Sequence, residues 1–170
     1  MINWKSLLAG AAVSLSLGLG AAHASTAITP ANGWVQFGFG GVGSSFSDDF
    51  TFNGPVTLKV TDAFLSGDQF AVYDNGVLLG DTSTPTIGDD VGGNYDAAYA
   101  DSNFSHGSWV LGAGAHDISG LVLQSPYGGG GAALQIAAGV PEAATWAMML
   151  LGFGLGGAAL RTRRRAVAAA

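Results

Sequence analysis

Cysteine is absent from the 170 residues, which excludes disulfides, thiolate metal sites and a cysteine nucleophile. Histidine occurs three times. His23 falls in an apolar N-terminal segment, and His106 and His116 alone do not make a three-histidine zinc site. No His-Glu-x-x-His spacing and no Ser in a Gly-x-Ser-x-Gly frame is present. No enzyme signature is left, and the expected reading is a non-enzyme. Positive charge is scarce as well, with Lys+Arg 6 against Asp+Glu 12, and it is unevenly placed. Residues 25–139 hold eleven Asp and Lys59 alone, a formal charge of -10, whereas Lys5 and four Arg lie outside them. An acidic body between two apolar, basic-flanked ends argues against a nucleic-acid partner.

Both ends read as addresses. Lys5, an apolar stretch over residues 6–20 and the small residues Ala22 and Ala24 form a three-part secretory signal over residues 1–24, so signal peptidase cleavage is expected between Ala24 and Ser25. At the other end, residues 143–160 carry no charge and precede Arg161, Arg163, Arg164 and Arg165. Such a stretch suffices for a transmembrane helix, and the arginines mark its cytoplasmic side. The body is then expected outside the cytoplasm.

The run Pro141, Glu142, Trp146, Ala147, Gly152 and Gly154, closed by the arginines, resembles the PEP-CTERM sorting signal in its PEPxxWA variant, with Ala143 at the second proline position. The resemblance covers residues 140–165, leaving 166–170 as a tail. It implies a bacterial protein exported across the inner membrane, held as a membrane-anchored precursor and cut near Pro141 and Glu142 by an exosortase-type membrane protease. The expected destination is the cell surface or the extracellular space, with exopolysaccharide as a possible partner.

The body, residues 25–139, is the size of one domain. It holds 14 of the 17 aromatics and 21 of the 28 glycines, and every acid in it is the turn-forming Asp. Val35, Phe37 and Phe39 alternate with polar or small residues, as do Phe50 and Phe52, and Val56, Leu58 and Val60; this period of two marks half-buried strands. Asn75-Gly76 between residues 70–74 and 77–80 predicts a type I′ hairpin. Residues 112–114 suggest the turn of a second hairpin, residues 132–137 a last strand, residues 96–104 a short helical turn, and residues 81–95 a long loop. The expected fold is all-β: a single antiparallel β-sandwich of jelly-roll type.

Gly38, Gly40 and Gly43 satisfy G-x-G-x-x-G, but Asp48 and Asp49 follow instead of a helix start, so a kinked strand is the better account than dinucleotide binding. Asp62 continues the inward parity of Val56, Leu58 and Val60, with Asp68 close behind. A carboxylate aimed at a core needs a partner. Asp62 and Asp68 are thus candidate calcium ligands, against the simpler account that Asp62 caps a turn through backbone N–H groups; no other cofactor is expected. Trp34, Tyr95, Tyr99 and Trp109, if exposed together, would suit stacking on sugar rings, the alternative being that they pack in the core. His106 and His116 are expected at turns and strand faces without a ligand role. The sequence therefore points to a non-enzymatic surface or matrix protein, with a carbohydrate-binding module as the alternative.

Overall fold

A computed structural model of the chain describes residues 24–139 and 146–155. Nine strands, a 3-10 turn (Pro30–Asn32) and one short α-helix make up the body: β1 (Ala24–Ala27), β2 (Val35–Phe39), β3 (Asp48–Asp62), β4 (Phe64–Leu65), β5 (Gln69–Asp74), β6 (Val77–Asp81), β7 (Asp90–Gly92), α1 (Tyr95–Ala100), β8 (His106–Gln124) and β9 (Gly130–Ala138). Residues 146–155 form a second helix, α2. The protein is mostly β, built on one large sheet in the order β2-β9-β3-β8-β5-β6, with β1 added beside β3 and a separate small ladder of β4 and β7. All pairings are antiparallel except β1 with β3.

The alternation in β3 explains its burial. Phe50, Phe52, Val56, Leu58, Val60 and Asp62 all point inward and are buried, as a two-residue period requires. On that inner face Phe37 of β2 meets Phe70 of β5 at a ring-centroid distance of 6.1 Å, although three strands separate them in the sheet order. Across a flat sheet four strand spacings would hold them roughly 19 Å apart. The sheet therefore curls until its limbs face one another. Phe46, fully buried, fills the space between them, 4.1 Å from Phe37 and 5.5 Å from Phe70. Isolated bridges Phe39 to Phe46 and Ser45 to Leu121 tack the segment after β2 onto β8, and the sheet does not close into a barrel. This segment contains the G-x-G-x-x-G match, which forms a corner and an extended stretch, with no helix behind it.

The Asn75-Gly76 hairpin forms as expected, with φ of 50° and 77° at the two turn residues and Asp74 paired to Val77. The expected turn at residues 112–114 does not form. β8 runs unbroken through it for 19 residues, and β3 likewise joins what the sequence divides at Gly54 and Pro55. Gly54 lies opposite Gly114, with the register slipping between Gly54 and Val56. A Cβ on Gly54 would stand 1.9 Å from the Gly112 carbonyl oxygen. These glycines allow two long strands to touch backbone to backbone and bend together, which is a glycine's second use in a sheet. The short helix expected within residues 96–104 is α1, capped by the Asn94 side chain accepting from the Ala97 N–H. The stretch expected as a loop over residues 81–95 contributes β7.

Candidate functional site

Where β3 ends, the chain makes the excursion of β4 and returns as β5, and Asp62 holds that excursion from its root. Its Oδ1 accepts from the Ala63 N–H at 2.8 Å, and its Oδ2 accepts from Gly67 and Asp68, each at 3.0 Å. Asp62 thus caps the turn. Burial pushes its carboxyl up to about 7, the Asp68 N–H opposes this, and the neighbouring Asp68 charge adds to it. Three of its acceptor positions are already used, and among the described residues no group of three or more His, Cys, Asp or Glu is arranged to hold a metal ion.

Asp68 is different. It is only 3% exposed, yet its Oδ1 and the Ser125 Oγ are buried without a hydrogen bond of good geometry. Burial pushes its carboxyl up, and the nearby Ser125 hydroxyl counters part of that penalty. Asp68 contributes to a cleft of about 430 Å³ together with Gln36, Phe64, Tyr127 and residues 129–131. Gln36, Phe64 and Tyr127 are not among the site residues expected from the sequence. The one signal that pointed toward the cleft was Tyr127 followed by four glycines, which reads as a flexible loop.

The four aromatics divide. Trp34, Tyr95 and Tyr99 gather at one face, half-buried: Trp34 lies 6.3 Å from Tyr95 and 5.6 Å from Tyr99, in both cases tilted by 48°. Trp34 Nε1 donates to Asp96, and the Tyr95 hydroxyl donates to Gln36 Oε1. Lys59 stands 4.9 Å above the Tyr99 ring. Trp109 instead packs against the core near Gly80 and Gly107. The group is therefore neither a flat platform nor wholly core.

The histidines serve the structure. His106 Nδ1 lies 2.9 Å from the Phe104 carbonyl, and its ring packs on Tyr99. His116 places Nδ1 2.8 Å from Asp74 Oδ2 and Nε2 3.0 Å from the Gly112 carbonyl. Both ring nitrogens face acceptors, so only the imidazolium satisfies both. Burial lowers its pKa, but the bonds to Asp74 and Gly112 outweigh it and the net shift is upward. The stabilisation is complete below the ordinary histidine value of 6.5 and is lost as pH rises through the higher folded value. An NMR titration is expected to place the His116 midpoint above 6.5, and Asp74→Asn is expected to bring it down; an unchanged midpoint in the variant would contradict the pairing.

Of the sorting residues, Trp146, Ala147, Gly152 and Gly154 lie on α2 and are exposed, Trp146 at 52%. Pro141, Glu142, Arg161, Arg163, Arg164 and Arg165 lie outside the described residues, as do Ala22 and His23. Residues 143–145 and 156–160 of the expected transmembrane segment lie outside the described residues; among the described residues no helix is long and apolar enough to cross a membrane. Residues 139–165 match the PEP-CTERM protein-sorting motif. The chain carries a PEP-CTERM sorting signal. That signal implies export, processing by an exosortase and sorting to the cell surface. No curated protein and no solved structure matches the chain, so the PEP-CTERM match is confined to the sorting signal and leaves the exported body unmatched.

The boundary between body and PEP-CTERM signal is sharp. β9 pairs with β3 up to Ala138, and the Gly139 N–H donates to the Pro55 carbonyl at 3.0 Å. At the other end Ala24 and Ser25 open β1, paired with Asp48 and Asp49. A chain cut after Ala24 and near Glu142 keeps β9 whole and all but the first residue of β1.

Proposed function

We propose that the body is a non-enzymatic module displayed at the cell surface or in the extracellular matrix, with its curled sheet acting as a sandwich of jelly-roll type. The observation that carries this reading is the sorting signal directly joined to a body whose last strand ends at Ala138. Besides the buried Asp62 and Asp68 the body carries nine further Asp, and Lys59, its one lysine, is held over Tyr99. Self-repulsion from this excess keeps such a module soluble outside the cell. The precursor is anchored by the segment over residues 143–160 and released or attached after cleavage.

Mass spectrometry of native protein from surface and medium fractions tests it. Chains starting at Ser25 and ending near Glu142 are expected; an intact Met1 to Ala170 product in every fraction would overturn the processing.

A second reading, recognition of exopolysaccharide, is favoured by Trp34, Tyr95 and Tyr99 lying together at one face beside Gln36. Aromatic rings with polar groups at their edges suit the apolar faces and hydroxyl rims of sugars.

A further inference from the structure

We propose that the corner where β3 and β8 bend together, with the β5–β6 hairpin beside it, is the face that the membrane-anchored precursor lays against the lipid headgroup layer. This rests on the anchor reading of residues 143–160 and adds to it an orientation for the body.

The tether sets the distance. The Gly139 N–H is bonded to the Pro55 carbonyl at that corner, and only residues 140–142 separate Gly139 from the uncharged stretch that starts at residue 143. Four Cα steps reach at most roughly 14 Å, of which the headgroup region on one side of a bilayer takes up roughly 5–8 Å. With residue 143 at the edge of the hydrocarbon, the corner stands less than roughly 10 Å beyond the headgroups, or among them. The other end of the body is far off by comparison, because β9 spans nine residues from Gly130 to Ala138, roughly 26 Å. The tether alone leaves the tilt of the body open; surface chemistry sets it.

The hairpin lies along the edge of β8 that β5 leaves unpaired before Ile118. At its tip the Asn75 N–H donates to the Asp117 carbonyl at 2.8 Å, and the Asn75 side-chain amide donates to the Ala115 carbonyl at 3.2 Å. Further along, a Cβ on Gly80 would stand 3.3 Å from Trp109 Nε1. Val77 and Leu78 fall between these two contacts and so run beside residues 110–114. They are 68% and 54% exposed, and Val110 is 83% exposed. Apolar side chains grouped in this way are what an interfacial surface buries among headgroups.

Charge points the same way. The exposed residues of the corner and hairpin, at positions 53, 55, 75–78, 110, 112–115, 137 and 138, include no ionisable side chain, in a body whose formal charge is -10. The acids next to them along the chain are Asp74, bonded to His116, and Asp117. Asp62, Asp68, Asp89 and Asp90 gather instead at the opposite end: Asp62 pairs with Ala132, Asp68 lies beside Gly130, the Asp89 carbonyl accepts from the Ser66 N–H, and Asp90 pairs with Leu65. Anionic lipid repels that end and tolerates the corner. Pro141, two steps from Gly139, stays within roughly 7 Å of it, so the expected cut is presented at the membrane surface, where an exosortase-type protease works.

The chain has no cysteine, so single cysteines can carry a fluorophore without background. The precursor, purified with its sorting signal intact, is labelled at Leu78→Cys, Val110→Cys, Val42→Cys or Phe153→Cys and placed in phosphatidylcholine vesicles bearing quenchers on the headgroup or on the acyl chain. Val42 is also exposed, at 66%, but sits beyond β2 at the far end. Headgroup quenching at 78 and 110 is expected to exceed that at 42 severalfold, and Val77→Asp is expected to bring the value at 110 down toward that at 42 with the melting temperature unchanged. Equal quenching at 42, 78 and 110, or none at all three while 153 is quenched from the acyl chain, would overturn the face and spare the anchor. Failure of the acyl-chain quencher to reach 153 would overturn both. Quenching at 110 that Val77→Asp leaves unchanged would overturn the apolar contact, since the tether then accounts for the proximity. A disulfide between two Val110→Cys chains in lipid-dilute vesicles would assign the face to a second copy and overturn the lipid as its occupant.

Discussion

Lowering the pH from about 8 to about 5 is expected to raise the melting temperature of the body by on the order of 10 °C. The cause is Asp62, whose carboxyl is moved from 3.8 to about 7 by burial. Between those values the folded chain holds a proton that the unfolded chain has released, so stability is fully present below 3.8 and falls as pH rises toward 7. The full difference is about 4 kcal/mol, most of it crossed between pH 8 and 5, and in a body of this size each kcal/mol moves the midpoint by roughly 3–5 °C. His116 works in the same direction above 6.5. Differential scanning calorimetry across that range, on the wild type and on Asp62→Asn, checks the assignment. With its amide nitrogen at the Oδ1 position the variant gives up the Ala63 bond and keeps those from Gly67 and Asp68, and it is expected to show a flatter profile. Equal slopes in the two proteins would remove Asp62 as the cause.

Gly54→Ala is expected to lower stability by roughly 3 kcal/mol or more and to reduce soluble yield sharply. Its Cβ would lie 1.9 Å from the Gly112 carbonyl oxygen and 2.8 Å from His116 Nε2. The first of these is backbone, so no rotamer change relieves it, and β3 and β8 must part where their pairing is continuous on either side. Gly112→Ala is the control, because a Cβ there meets nothing within 4 Å. Urea denaturation of both is the measurement. If Gly54→Ala unfolds at the same midpoint as Gly112→Ala, the close approach of the two strands is not a requirement of the fold.

The parts of this structure that were legible in the sequence are those decided by neighbours along the chain. Asn75-Gly76 makes its own turn because both residues accept positive φ, whatever surrounds them. The inward set of Phe50, Phe52, Val56, Leu58 and Val60 follows from the pleat. The turn expected at residues 112–114 was misread because glycine has two uses, reversal and close approach, and which one applies depends on the strand lying opposite. β1, with only Ser25 and Thr26 between two alanines, has no alternating pattern to announce it; it exists because β3 offers a free edge over Asp48 to Thr51. The candidate site was half visible. Asp62 and Asp68 stood out as acids aimed inward, but the two fates of those carboxylates, one saturated by backbone N–H groups and one left with an unpaired oxygen, depend on the path of the chain through β4.

By itself the sequence determined the address, the acidity and the strand-rich character of this protein, because apolar runs, charge and two-residue alternation are local properties that need no fold to be read. Only the tertiary structure decided that the sheet curls so that Phe37 meets Phe70, that Gly54 serves a bend, and that Gln36, Phe64, Asp68 and Tyr127 share one cleft. Those residues are distant along the chain, and what brings them together is strand order, register and the curvature of the sheet, none of which is written in any short stretch of residues.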